Sequence, residues 1–492
     1  MSRASALLER VDPRHHVTLD DYGAVAALAL PVQELRALAA TVAPALTGRT
    51  IWMVNSTATG GGVAEMLPGM VALMRELGLA VEWVVIGSRE EEFFRITKRI
   101  HNMIHGEGEP TIDGEERELF ERVNRENATA LRGLLEAHDI VVVHDPQPIA
   151  LGAYLRQELD VRTVWRCHIG FDRRTPSTSA AWKFLRPYAT TYDQTIFSAP
   201  EYTPDYLTGR AAVIHPAIDP LSHKNRDLSI NKLVGILCNA GLLVEHAPAR
   251  TPPFEEPARR LQADGEWAVA TEPEDMGLLF RPIVTQVSRW DRLKGWRPLL
   301  QGFVRLKEEY LDVDGLDDLG RRTIETARLV LAGPDPGSIA DDPQGREVLE
   351  ELRNDWLALP DRLQRDVALL ALPMHSAKHN ALMVNALQRC STIVAQNSFR
   401  EGFGLTVTEA MWKALPVMGT DAAGIRQQLH DELEGRLVGD PDDPDEIART
   451  LHAMLGDEHA RDRWGYAAQR RVHHDFLIFT QLRQWLEVLG TM

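Results

Sequence analysis

Two glutamates stand eight positions apart in REGFGLTVTEA, residues 400–410, with Gly402 and Gly404 between them. A carboxylate is an acceptor-only group that can take several hydroxyl donors at once. Glycines leave backbone amides open to a close-approaching anion. The apolar stretch from Leu405 onward reads as a helix, so the spacing predicts an acid in a turn, amides around Gly402, Phe403, Gly404 and Leu405, and a second acid about one turn into the helix. Glu401 can accept from sugar hydroxyls, and Glu409 can grip another polyol such as a ribose. The plainer alternatives are dipole support for Glu401 at the helix start and a solvated helix face for Glu409.

Other constellations carry related chemistry. VSRWDRLKGW places Arg289 and Lys294 just past an expected strand end. Arg offers a hydrogen-bonding fork and Lys a compact charge, a pair suited to a diphosphate. A solvated basic loop is the alternative. Three glycines at 60–62 follow one strand and open a helix, a place where backbone can approach an anion. A structural tight turn reads equally well, and the loop matches neither GxGxxG nor GxxxxGK[ST]. Asp312/Asp314, Asp440/Asp442 and Asp443/Asp445 sit in acidic, turn-rich runs and read as loops or helix starts rather than metal ligands. His473/His474 read as surface or packing features, and His15/His16 as part of a mobile N-terminal segment. Trp52, Trp83 and Trp165 fall inside strand patterns, which favours core packing. Trp182 could also stack on a sugar, and Trp290 and Trp296 flank the basic loop.

The elements that must position these residues are short apolar runs alternating with longer helical patterns, which indicates an α/β architecture with mostly parallel sheets. TIWMVNS (50–56), VEWVVIG (81–87), DIVVVHD (139–145), TVWRCHIG (163–170), TIFSA (195–199) and AAVIHPAID (211–219) make a first series. PIVTQVSRWD (282–291), ARLVLAGP (327–334), DVALLAL (366–372), STIVAQNS (391–398) and LPVMGTDAAG (415–424) make a second. Two Rossmann-like, doubly wound domains follow, one spanning 1–216 and one 217–473. The amphipathic C-terminal helix, about 474–492, is expected to pack back on the first. A proline- and charge-rich stretch at about 238–278 reads as a surface insertion or lid, and DVDGLDD (312–318) as a surface loop.

Composition narrows the partners. The net charge is −17, from 71 acidic and 54 basic residues, which argues against a general nucleic-acid or anionic-membrane binder while leaving room for a local basic pocket. Cys167, Cys238 and Cys390 lie far apart with no CxxC, which fits a reducing cytoplasm rather than a disulfide framework. The N-terminus lacks a signal-peptide core, and no apolar run approaches the ~18–20 residues of a membrane helix.

Taken together, these motifs resemble the retaining, nucleotide-sugar-dependent glycosyltransferases of family 4, whose signature is Glu, seven residues, Glu. More narrowly, NSTATGGGVAEML, VNRENA, VVVHDPQP, WRCHI, HPAIDPLSHKN, VTQVSRWDRLKG and REGFGLTVTEAMWKALPV resemble the trehalose glycosyltransferring synthase branch across residues 45–235 and 280–490. The resemblance implies a GT-B fold, two Rossmann-like domains facing across a cleft. It implies an enzyme joining glucose from UDP-, ADP- or GDP-glucose to free glucose. It assigns donor contacts to Gly61, Gly62, Arg289, Lys294, Glu401, Gly402, Phe403, Gly404, Leu405 and Glu409. His168 would face the reacting sugar, making His168, Arg289, Lys294 and Glu401 the catalytic set. Asp145, Gln147 and Arg166 would lie near the acceptor. No metal or further cofactor is expected, and a homodimer is compatible with the pattern. A related transferase with another acceptor, a trehalose phosphorylase, and a non-catalytic nucleotide-sugar-binding regulator are the competing expectations.

Overall fold

The computed structural model describes residues 7–13, 15–59, 62–244, 254–270, 276–311, 316–335 and 343–492. The chain forms two compact units, Met1–Ala217 with Ile478–Met492, and Ile218–Leu477. Each holds one mostly parallel sheet.

In the first unit the strands are β1 (Leu8–Val11), β2 (Thr50–Asn55), β3 (Ala80–Ile86), β4 (Ile140–His144), β5 (Arg162–Cys167), β6 (Gln194–Phe197) and β7 (Ala211–Val213). Their order is β1-β3-β2-β4-β5-β6-β7, with only β1 antiparallel to its neighbour. Every residue of β4 is buried, as helices on both faces require of a central parallel strand. The strand order reverses between β2 and β4, so the loops leaving those two strands flank the crevice where open α/β sheets bind ligands. β1 was not anticipated: the N-terminal segment expected to be mobile contributes an edge strand. The His15 ring stands 3.5 Å from where a Cβ on Gly69 would lie.

The C-terminal helix Ile478–Leu489 buries Phe479, Leu482, Trp485, Leu486 and Leu489 within the first unit. Gln481 Nε2 donates to His215 O at 3.2 Å. It packs on the helix Ala29–Val42, whose Val32, Leu35 and Ala39 are buried. That helix is part of a helical run, Ala26–Leu46, long and apolar enough to cross a membrane by length and composition. This corrects the sequence expectation that no apolar run approaches that length: the run is apolar on average, although Glu34 and Arg36 stand within it.

The second unit contains β8 (Arg259–Leu261), β9 (Trp267–Ala268), β10 (Ile283–Val287), β11 (Arg328–Pro334), β12 (Val367–Leu372), β13 (Ile393–Ala395), β14 (Val417–Thr420) and β15 (Gly435–Val438). Their order is β15-β14-β13-β10-β11-β12-β8-β9, with reversal between β10 and β13. The segment at 238–278 is not the surface lid expected of it in its described part. β8 and β9 form an antiparallel hairpin that extends the sheet beyond β12. Ala258, Leu261, Met276 and Leu278 are buried, so this stretch completes a core. Residues 245–253 and 271–275 lie outside the described residues, as do 312–315 of the expected loop at 312–318.

Candidate active site

The loops leaving β10 and β13 are stitched together at the switch point of the second unit. The buried Gln286 on β10 donates to Lys294 O (2.8 Å) and accepts from Asn397 N–H (2.8 Å). Asn397 Nδ2 donates to Gly295 O at 3.1 Å, and Phe399 N–H to Leu293 O at 2.8 Å. Gly295 has φ 57°, and a Cβ there would sit 2.0 Å from Asn397 O, so only glycine allows the loops this close. Trp290 and Trp296, both 2 % exposed, anchor the loop from beneath and donate to Pro334 O and Arg289 O. They are core residues rather than sugar platforms. So are Trp52, Trp83 and Trp165, whose indoles are spent on Asp139, Asn55 and the Asp145 carbonyl, while Trp182 packs edge-on against Trp165 and Phe197.

This stitching brings Lys294 Nζ within 2.7 Å of Glu401 Oε2. Gln396 Nε2 (3.2 Å) and Ser398 Oγ (3.1 Å) donate to the same oxygen. Both charged side chains are mostly buried, at 14 % and 12 % exposure. Desolvation there is offset by pairing and by the extra donors, as a buried ion pair requires. The sequence placed these residues in one site but not in one ion pair. Arg289, by contrast, is exposed, with Asp291 at 3.9 Å.

Gly404, at φ 82°, turns the chain into the helix Leu405–Trp412. The first amides of such a helix have no intrahelical acceptors. Gly424 packs directly on the turn: a Cβ there would lie 2.6 Å from Glu401 O, Gly402 C and Phe403 Cα. The Phe403 ring is buried against Phe476, which leaves its backbone as the part able to meet a ligand. Glu409 is not on a solvated face; it is 4 % exposed. Its Oε1 lies 3.7 Å from Lys224 Nζ, and its Oε2 is buried without a hydrogen-bond partner. A buried carboxylate oxygen left unpaired is costly, and a ligand hydroxyl would satisfy it. Behind it, Lys413 Nζ donates to Gln388 Oε1 (2.8 Å) and Glu409 O (3.0 Å). Burial lowers its pKa to about 7. Lys224 and Lys413 were missed; the i, i+4 spacing of Glu409 and Lys413 was the available signal.

In the first unit, His168 lies just past β5. Its backbone N–H donates to Asp145 Oδ1 at 2.8 Å, and its carbonyl accepts from Ser198 Oγ at 3.1 Å. Its Nε2 is 2.9 Å from Nδ1 of His144, the last residue of β4 and one that sequence reasoning passed over. Asp145 adopts φ 65° and its carboxyl is pushed up to about 6, chiefly by burial. Burial, aided by Arg166, holds His144 down at about 3 and His168 well below its ordinary range. Arg166 corrects an expectation: it is 1 % exposed and donates to Ile214 O (2.6 Å) and Ser198 Oγ (3.3 Å), so it braces the His168 loop from within rather than lying open to an acceptor. Gln147 is half-buried with Oε1 sealed and unpartnered. Gly62 opens the helix Gly62–Glu76 with open space where a Cβ would be, while Gly60 and Gly61 lie outside the described residues. Among the acidic pairs, Asp443 caps the helix Pro444–Gly456 and Asp440 accepts from Asp442 N–H, while Asp312 and Asp314 lie outside the described residues. His473 and His474 end the helix Glu458–Asp475.

The two Rossmann-like units have the GT-B fold, the fold of glycosyltransferase structures. The α,α-trehalose-phosphate synthase (UDP-forming) of Burkholderia vietnamiensis shares that fold, with TM-score 0.62 at 16 % identity, over 90 % of this chain and 99 % of that one. Residues 53–204 match the trehalose synthase N-terminal domain, and residues 279–471 match glycosyl transferases group 1. The chain is 34 % identical over 454 residues to the trehalose synthase of Pyrococcus horikoshii (91 % of each chain), and 33 % over 490 residues to that of Rubrobacter xylanophilus (99 % of each). The chain belongs to the trehalose synthase family.

Proposed function

We propose that this glycosyltransferase is a retaining glucosyltransferase that makes α,α-trehalose, reversibly, from an NDP-glucose and free D-glucose. The observation that carries the reading is the second unit's switch point. There a buried Lys294–Glu401 pair, the exposed Arg289 and a buried, unpartnered Glu409 oxygen gather around a helix start. In this reading Lys294, Arg289 and the amides of Gly402 to Leu405 take the negative charge that grows on a leaving diphosphate, the effect that usually dominates such catalysis. Glu401 holds donor-sugar hydroxyls and Glu409 the ribose hydroxyls. His168, with Asp145 and Gln147 near it, serves the reacting sugars.

In the proposed step the bond from the sugar C1 to the phosphate oxygen breaks. A glucose hydroxyl forms the new C1–O bond on the same face. Its proton passes to the departing phosphate oxygen, so NDP leaves and configuration is retained. The retaining route through a covalent intermediate needs a nucleophile on the opposite face; the proposed route does not.

The test is an equilibrium assay of purified protein with UDP-, ADP- or GDP-glucose and glucose, with and without EDTA, followed by NMR. Stoichiometric trehalose and NDP, undiminished by EDTA, is the expected result. Nucleotide release without trehalose points to another acceptor or hydrolysis. Glucose phosphate formed from trehalose and phosphate points to a phosphorylase. Donor binding with no turnover points to a regulator.

A further inference from the structure

The His144–His168 contact holds one piece of information beyond position. The rings are nearly parallel (12°), with His144 Nδ1 2.9 Å from His168 Nε2. At that separation one nitrogen carries the hydrogen and the other the lone pair. Burial and the Arg166 charge hold both rings neutral, so two arrangements remain. If His168 Nε2–H donates, His144 must carry its own hydrogen on Nε2. That nitrogen is sealed from solvent without a partner, its ring 6.4 Å from that of Trp485. A buried N–H with no acceptor is the rarer and costlier defect. If His144 Nδ1–H donates instead, the sealed nitrogen is only a bare lone pair, and the hydrogen of His168 sits on Nδ1. Among the described residues, His168 Nδ1 has no protein partner, and it is not one of the unpartnered nitrogens sealed in the fold.

We propose that His144 is a positioning residue: by donating from Nδ1 it holds His168 in the Nδ1-protonated form, so that His168 offers an N–H rather than a lone pair to a sugar oxygen. The sugar rests on the function proposed above; the tautomer does not. Position and tautomer are then set by two consecutive residues at the end of β4, Asp145 through the His168 backbone and His144 through its ring. There is a chemical consequence. A neutral ring protonated on its open nitrogen is a donor and not a base there, which leaves the acceptor proton to the departing phosphate.

The experiment uses full-length protein labelled with 15N-histidine, as wild type, His144→Phe and His144→Asn. Two-bond 1H–15N spectra read the His168 tautomer, with His168→Asn identifying its signals. Wild type is expected to show hydrogen on Nδ1. His144→Phe keeps a ring but removes the donor, so the tautomers should mix. Its kcat for trehalose formation should fall ~10–100-fold, the scale of lost second-layer orientation. KM for the nucleotide sugar should change less than kcat, since Arg289, Lys294, Glu401 and Glu409, which hold the rest of the donor, are untouched. His144→Asn places an amide N–H near the lost Nδ1–H and should restore both the tautomer and most of the rate, which loss of packing alone would not predict. Circular dichroism melts identify a His144→Phe chain that fails to fold, in which case wild type and His144→Asn decide. Hydrogen on His168 Nε2 in wild type overturns the proposal, as does an unchanged tautomer and rate in a folded His144→Phe. Absence of trehalose with any donor, alongside the expected wild-type tautomer, overturns the proposed function and leaves the tautomer assignment standing.

Discussion

His144 at the end of β4, with Arg166 and His168 at the end of the neighbouring β5, and Lys294, Glu401 and Glu409, which follow the two strands flanking the second unit's switch point, are all mostly buried. The first cluster is governed by desolvation. Two histidines are held neutral, and the Asp145 carboxyl titrates near 6. The second is governed by pairing: Lys294 and Glu401 keep opposite charges at 2.7 Å, with Gln396 and Ser398 adding donors to the carboxylate. The difference matches the tasks proposed for them. Sugar hydroxyls change charge little during transfer and need directional donors and acceptors, whereas a leaving diphosphate gains charge and needs cations already in place.

The comparison breaks first at Lys294. Lys294→Met leaves Glu401 buried without its cation, and transfer activity is expected to fall ~10³-fold or more, with a thermal destabilisation of about 3 kcal/mol. Arg289→Ala sharpens the point. Its side chain is exposed, so activity should drop ~10²-fold while stability stays within about 0.5 kcal/mol. Steady-state kinetics beside denaturant melts of both variants separate the two. Activity within tenfold of wild type in Lys294→Met would remove the charge role assigned to that cluster.

Glu409→Gln keeps the shape and removes the charge. KM for the nucleotide sugar should rise ~10–100-fold with kcat nearly constant, the size of a lost charged hydrogen bond. A rise confined to the KM of the acceptor glucose would move Glu409 out of the donor site.

Stability against pH tests the desolvated cluster. His144 titrates at about 3 in the fold against an ordinary 6.5, so below pH 6.5 the unfolded chain takes a proton the fold refuses. Stability therefore falls as pH drops from 6.5 toward 3, and His168 acts in the same direction. Asp145, raised from 3.8 to about 6, works oppositely: the fold protonates first, and stability rises as pH drops through 6. Between pH 7 and pH 5 the two histidines lower the denaturant midpoint and Asp145 raises it, so the comparison of wild type with His144→Asn isolates the histidine share. His144→Asn should remove the His144 share of the slope. The same pH slope in wild type and His144→Asn would contradict the neutral, desolvated reading.

The smallest effect is a control on both clusters. Asp443→Ala removes the cap of the helix Pro444–Gly456 and should cost about 1 kcal/mol without changing kcat/KM. A large loss of activity would mean that this acidic pair does more than cap a helix.

Much of the fold was legible because central parallel strands are continuous apolar runs bounded by polar turns. IVVVH and VALLAL could be read directly. β1 and β8 were not: LERV and RRL carry charges at half or more of their positions, and become strands only because a neighbouring strand edge offers hydrogen bonds. Within the site, Lys294, Glu401 and Glu409 were singled out by type and spacing. The depth of Glu409 was legible too, in principle. LTVTEAMW is apolar nearly all round, the mark of a buried helix, so a lone acid within it is not on a solvent face. His144 was not legible. It ends an apolar strand, reads as core, and takes its meaning from a ring 24 residues away.

Residue order and type by themselves determined the two series of alternating strands and helices, the glycines that allow sharp turns, and the set of acids and cations able to hold a nucleotide sugar. These are local properties: hydrophobic period, backbone freedom and side-chain chemistry. Only the tertiary structure decided that Lys294 pairs with Glu401, that Glu409 Oε2 is left without a hydrogen-bond partner, that Arg166 braces a loop from within, and that His144 faces His168. Those outcomes depend on which strand ends lie side by side and on how much water is left there, and neither is encoded in any short stretch of chain.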